Sequence, residues 1–412
     1  MLSKSLIATG LCFLLAEAIP HNDVLSRSQS SAMDSYLLYA TSYSGIVHTL
    51  NLTLPAPGCN GAASLRAVAT TDQCGGKPSW LTFNHDNSLM YCTNQGFGTP
   101  NGSLTSFQTS KDGSLTPLSQ VVTPYGAVHA SIYGDGGKGM VVAHYSGSAM
   151  STYSIANPAS LQQLESWTWQ LEKPGPNPQN APHPHEAVVD PTGNFILVPD
   201  LGADLIRIFA IDRTTLKLTT LTPHATPAGS GPRHLVFHVT EGKTLAYLAS
   251  ELGNTVTVFE VIYQANNAGL VLNQVYVTST HGEGNTAPKG AAAAELVFSP
   301  DNKYLVVSSR LEGTLSIPNF DPKNETAIPS DPIFNFEVQQ ETGALSLVQT
   351  VPAGGMVPRH FSMNKAGTLV AVGLQQDFRV VIMKRDVATG RLGDIVAQIK
   401  LDGEVTFVIF DE

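Results

Sequence analysis

The sequence predicts an all-β ring, a seven-bladed β-propeller of four-stranded antiparallel blades, on three observations: a repeated apolar run, the turns flanking each copy, and an orphan strand at the C-terminus. The clearest copy begins at His185-Glu186-Ala187-Val188-Val189-Asp190, turns through Pro191-Thr192-Gly193-Asn194, and returns as Phe195-Ile196-Leu197-Val198. Further copies of the returning run start at Tyr36, Leu89, Gly139, Thr244, Tyr304 and Thr368. With Phe195 they number seven, at spacings of roughly 50 to 65 residues, which suits propeller blades. Period-two alternation with Gly, Asp and Asn turns marks antiparallel hairpins rather than helices. A two-sheet sandwich would have to explain the same regular period along the whole chain.

The first unit lacks an innermost strand, and Glu404-Val405-Thr406-Phe407-Val408-Ile409-Phe410 has no hairpin partner of its own. Letting that strand complete the first blade closes the ring and removes two exposed edges. The expected organisation is a signal peptide at 1–18, a flexible segment at 19–33, and one propeller domain over 34–412.

The N-terminal expectation rests on Lys4, the apolar stretch Leu6 to Leu15, and Ala16-Glu17-Ala18 as a small-residue cleavage site. That stretch is too short to span a bilayer. Sequons at Asn51, Asn101 and Asn324 fit export as glycosylation acceptors. The expected location is therefore extracellular or the cell wall. Beyond Cys12 in the signal, Cys59 and Cys74 bracket a Gly-containing loop and are expected to pair as a disulfide, with Cys92 a small core residue. Only 14% of residues are charged and the net charge is -10, which disfavours nucleic acid and anionic membranes as partners.

The repeat also carries a geometric expectation. In a hairpin, the start of the first strand and the end of the second lie at the same end. His129, His183, His185, Arg233, His234, Glu295, Arg359 and His360 stand at first-strand starts. Tyr43, Gln95, His144, Asp200, Glu251, Arg310 and Gln375 stand at second-strand ends. One rim of the channel should therefore collect imidazole, guanidinium and carboxylate groups, while the opposite rim carries ordinary turns. No metal or other cofactor is expected. His183 and His185 share a strand face, and His129, His144 or Glu295 would have to complete any ligand set.

The runs His183-Pro184-His185-Glu186, Asp200-Leu201-Gly202-Ala203-Asp204, Gly231-Pro232-Arg233-His234, Glu251-Leu252-Gly253-Asn254-Thr255 and Ser308-Ser309-Arg310 resemble the seven-bladed lactonase family. That family includes fungal carboxy-cis,cis-muconate cyclases and bacterial 6-phosphogluconolactonases. The resemblance to the cyclases implies a site of one His, two Arg and one Glu. Carried over, these are His185 (with His183 as its competitor), Arg233, Arg310 and Glu251. His183, Glu295, Arg359, His144 and Asp200 are expected to contact substrate. The implied substrate is a small anionic lactone or open-chain polycarboxylate. Two guanidiniums suit a polycarboxylate, and the scarcity of basic residues tilts the expectation toward cyclisation of 3-carboxy-cis,cis-muconate over hydrolysis of a phosphorylated sugar lactone. A secreted, non-catalytic adhesion or antigen module is the reading from another class.

Overall fold

The computed structural model describes residues 34–56 and 61–412. The signal expected at 1–18, the segment 19–33, Cys12 and Cys59 lie outside the described residues.

Seven antiparallel units form the ring, one for each copy of the repeat, each of four strands, with the short strand His224–Ala225 added to the fourth beside Leu205–Ile211. Blade 1 runs outward through Asp34–Ser42, Val47–Leu54 and Ser64–Thr71. Its innermost strand is Val405–Phe410, paired antiparallel with Asp34–Ser42. The inner strands of blades 2 to 7 are Pro78–Asn84, Ala127–Tyr133, Val188–Val189, Pro232–Thr240, Ala292–Phe298 and Pro358–Met363. Closure is tied by the Thr41 and Thr406 hydroxyls, 2.6 Å apart, and by the Thr406 hydroxyl donating to the Pro78 carbonyl at 2.8 Å. One buried side chain thus joins the C-terminal strand to two blades.

The apolar runs pack between blades rather than into one central core. Leu38, Ala40 and Leu50 of blade 1 meet Leu369, Ala371 and Ile382 of blade 7. Tyr39 and Val47 meet Leu81, Met90 and Phe107 of blade 2 on the other side. Second strands are therefore buried on both faces, as Leu89–Asn94 and Phe195–Asp200 are throughout, and read as continuous apolar runs. Outer strands such as Leu115–Thr123 are largely exposed or half-buried.

Three features depart from expectation. Cys74 is bonded to Cys92, not to Cys59. The loop entering blade 2 folds back over that blade's second strand and brings the two Cα atoms to 5.8 Å. Proximity in sequence was the wrong guide, because the partner is set by packing across the joint between blades 1 and 2. The inner strand of blade 4 is nearly dissolved, with a bridge at Pro184 and Asp200 followed only by Val188–Val189. Pro184 has no N–H to donate to a ladder. Blade 6 carries an added hairpin, Leu315–Ile317 with Ile328–Ser330, between its second and third strands. Of the sequons, Asn101 and Asn324 are exposed in loops, while Asn51 is half-buried on a strand and accepts a hydrogen bond from Ser35.

Candidate active site

Inner strands begin with a bulge. The pairing register shifts between Pro78 and Trp80, Ala127 and His129, Pro232 and His234, Ala293 and Leu296, and Pro358 and His360. A bulge inserts an unpaired residue and re-aims its side chain. Two successive residues per blade consequently form two stacked layers in the channel. The upper layer contains Ser79, Val128, His185, Arg233 and Arg359, and Thr406 of the closing strand lies with them. The lower layer contains Trp80, His129, Glu186, His234, Glu295, His360 and Phe407. Its rings are in contact: Trp80 lies 4.1 Å from His129 and 5.0 Å from His360, and His360 stacks on Phe407 at 3.9 Å. This layer plugs the channel.

Above the plug opens a cavity of about 210 Å³ lined by Tyr43, Gln95, Phe97, Val128, Tyr145, Ser146, His185, Arg233, Glu251, Arg310 and Arg359. Its wall on blades 5 to 7 is charged. Glu251 Oε2 accepts from Arg233 Nε at 3.0 Å and lies 2.7 Å from Arg310 Nη2. Arg233 also donates to the Ala294 carbonyl at 2.7 Å, and Arg310 to the Ala292 and Ala293 carbonyls at 3.3 Å. Arg359 donates to the Tyr43 hydroxyl at 2.8 Å. Three guanidiniums against one carboxylate leave a surplus of positive charge facing the cavity. The wall on blades 1 to 3 is aromatic, with Phe97 5.8 Å from Tyr43 and 5.7 Å from Tyr125.

Burial would raise the Glu251 pKa, but Arg310 and Arg233 outweigh it and hold the carboxyl below its usual range. Burial and the neighbouring Arg310 pull Arg233 down to about 10, so it stays charged at neutral pH. Burial, then Arg233 and His234, drive His185 well below the ordinary histidine value, so its ring is neutral. His185 Nδ1 lies 3.1 Å from His234 Nε2, and His234 Nδ1 lies 2.8 Å from Glu295 Oε1.

A second polar cluster fixes the two outer arginines. Asp331, wholly buried between blades 6 and 7, accepts backbone N–H groups from Leu311 at 3.0 Å, Glu312 at 2.7 Å, Gly313 at 2.8 Å and Val357 at 2.7 Å. Leu311 and Val357 both have positive φ, 64° and 59°. Those conformations are costly for side chains of this shape, and they set the directions of the chain next to Arg310 and Arg359.

Residues 38–410 match the family model described as lactonase, 7-bladed beta-propeller. The chain belongs to this lactonase family. Among its relatives, a probable 6-phosphogluconolactonase of Arthroderma benhamiae is 30% identical over 318 residues, 76% of this chain and 75% of the relative. The 6-phosphogluconolactonase of Bacillus subtilis is 25% identical over 319 residues, 77% of this chain and 82% of the relative. The periplasmic gluconolactonase of Pseudomonas aeruginosa shares the fold with a TM-score of 0.73 at 24% identity, covering 92% of this chain and 99% of that one.

Within this lactonase-family fold, His185, Arg233, Glu251, Arg310 and Arg359 converge on one cavity. Glu295 lies one layer deeper. Three expected contacts are placed elsewhere. His183 stacks on Tyr145 at 4.2 Å and pairs its Nδ1 with the Tyr145 carbonyl, so it supports the cavity wall from behind. His144 is wholly buried inside blade 3, 2.7 Å from the Ser151 hydroxyl, because its side chain points into the sheet stack. Asp200 is wholly buried, pairs with Arg207 at 2.8 Å, and accepts from the His183 N–H. Phe97 and Tyr145 were not anticipated. Tyr145 directly follows His144 at a second-strand end, so the rim pattern contained the signal one residue away. Among the described residues, no group of three or more His, Cys, Asp and Glu is arranged to hold a metal ion.

Proposed function

We propose that the protein hydrolyses a small anionic lactone, most like a phosphorylated sugar lactone, at the channel mouth. One observation carries the reading: Arg233, Arg310 and Arg359 share a cavity with a neutral His185. The guanidiniums bind the anionic tail and the lactone carbonyl oxygen as it gains charge, where preorganised donors are worth most. His185 takes a proton from the attacking water, and returns it to the leaving ring oxygen as the ester bond breaks. Glu251, shared by two arginines, is a poor base in this setting; it aligns both guanidiniums. The aromatic wall suits the C–H faces of a sugar ring.

The scarcity of Lys and Arg in the chain argued against a phosphorylated substrate. That argument loses its force when three of the arginines stand on one wall. The names of the relatives also favour ring opening. Cyclisation of 3-carboxy-cis,cis-muconate calls on the same guanidiniums to bind carboxylates, and stands as the second reading. The Cys74–Cys92 disulfide supports an oxidising, exported setting for this activity.

The test is a substrate comparison with purified protein: 6-phosphogluconolactone, unphosphorylated gluconolactone and 3-carboxy-cis,cis-muconate. Acid release from the phosphorylated lactone, faster than from gluconolactone, is the expected result. Ultraviolet change with the muconate and none with either lactone would reverse the proposal.

A further inference from the structure

The lower layer of the channel decides which nitrogen His185 offers to the cavity. Glu295 Oε1 accepts the Leu296 backbone N–H at 3.1 Å, so that oxygen is an acceptor at this contact. The other oxygen, Oε2, faces His360 Nε2 at 3.7 Å. His360 Nδ1 accepts the Val408 backbone N–H at 3.4 Å. In neutral His360 the proton must then sit on Nε2, since a neutral imidazole carries one donor and one acceptor. As a carboxylate, Glu295 has acceptors only, Oε1 toward the Leu296 N–H and His234 and Oε2 toward the His360 Nε2–H. With Glu295 ionised, His234 Nδ1 is the donor of its 2.8 Å contact.

The consequence passes along the row. With its proton on Nδ1, neutral His234 has a lone pair on Nε2. His185 Nδ1, 3.1 Å away, must donate to it. The lone pair of His185 is therefore on Nε2, the ring nitrogen that no protein group engages among the described residues. We infer that His234 and Glu295 are positioning residues: they fix His185 as its Nδ1–H tautomer, with Nε2 unprotonated at the cavity. The inference deepens the lactonase reading, because an Nε2 lone pair is what abstraction of a proton from water requires. Neither residue touches substrate; both act through His185. The backbone donors of Leu296 and Val408 anchor the row at its far end, so its direction does not depend on the ligand.

The experiment is long-range proton–nitrogen correlation spectroscopy of the intact protein labelled with ¹⁵N-histidine, with a His185→Gln sample to assign the signal. His185 is expected as a single tautomer protonated on Nδ1. A His185 protonated on Nε2 in the unaltered protein would overturn the inference, whatever the enzyme's substrate proves to be. His234→Phe keeps the ring and removes the acceptor. It should let the Nε2–H form of His185 appear and lower kcat for lactone hydrolysis by about 10²-fold, with little change in KM. An unchanged tautomer in that variant also overturns the inference. Glu295→Gln retains an acceptor oxygen, and should preserve the His185 tautomer and most of kcat; Glu295→Leu should lose both. Correct tautomers with no turnover of any lactone would instead count against the proposed function and leave the positioning roles standing.

Discussion

Asp331 Oδ2 holds the backbone nitrogen of Val357 at 2.7 Å while Val357 stays in the left-handed region at φ 59°. The two residues come from different blades, and the contact spans the joint beside Arg359. Removing the carboxyl group takes the shared acceptor from four backbone N–H groups, two of them on the exposed residues Leu311 and Gly313, where water replaces it. Asp331→Ala should therefore destabilise the protein by about 1.5–3 kcal/mol, the range for hydrogen bonds to a charged group. Asp331→Asn keeps one acceptor oxygen and should cost less, yet raise KM for the anionic substrate as Arg310 and Arg359 shift. Denaturant unfolding and steady-state kinetics on the two variants check this.

Arg310→Ala should lower kcat/KM for lactone hydrolysis by at least about 10²-fold, the usual loss when one donor to a developing oxyanion is removed. It also leaves Glu251 with Arg233 alone. Unaltered kinetics would remove Arg310 from the site.

The two candidate histidines should separate cleanly. His185→Gln should reduce kcat by about 10²- to 10⁴-fold, the range for a positioned general base. His183→Phe preserves the stacking on Tyr145 and gives up one hydrogen bond to a carbonyl, so its effect on rate should be slight by comparison. Equal losses in both variants would contradict the placement of His183 behind the wall.

Buried neutral histidines should make the fold acid-sensitive. Burial lowers His144 and His360 to about 3, and drives His129, His185 and His234 well below 6.5. Between about 6.5 and 3 the unfolded chain binds more protons than the native one, so stability is lost as pH falls through that window. Each such histidine contributes a slope approaching about 1.4 kcal/mol per pH unit. Glu186 and Glu295, raised mainly by burial, act with the opposite sign but are outnumbered. The melting temperature should be lower at pH 5 than at pH 7. A rate dependent on neutral His185 should likewise persist below pH 6.5.

The Cys74–Cys92 bond closes a sequence separation of 18 residues, for which chain entropy predicts about 3 kcal/mol of stabilisation. Cys74→Ala with Cys92→Ala should lower the unfolding free energy by about that amount, read by denaturant titration. The same double substitution with no loss of stability would contradict the pairing.

Much of the site was legible because hairpin geometry is local. Arg233 begins one strand and Glu251 follows the end of the next, so their shared rim follows from chain reversal alone. Arg310 and Arg359 follow by the same rule in later blades. The rule cannot say where a side chain points once a bulge intervenes. His144 satisfied the positional rule, yet it turns inward to Ser151, whereas its neighbour Tyr145 faces the cavity. His183 and His185 were indistinguishable by spacing, since both share one strand parity. They parted only when the strand broke at Pro184.

The sequence by itself determined the ring, its seven units, its closure by Val405–Phe410, and the gathering of basic and acidic groups at one end, because strand alternation and turn chemistry act over a few residues. Tertiary structure alone decided that Cys74 joins Cys92, that Asp331 steadies the flanks of two arginines, and that His185, His234 and Glu295 line up as one hydrogen-bonded row. Those relationships cross from blade to blade, where distance depends on how whole sheets pack and not on the count of residues between them.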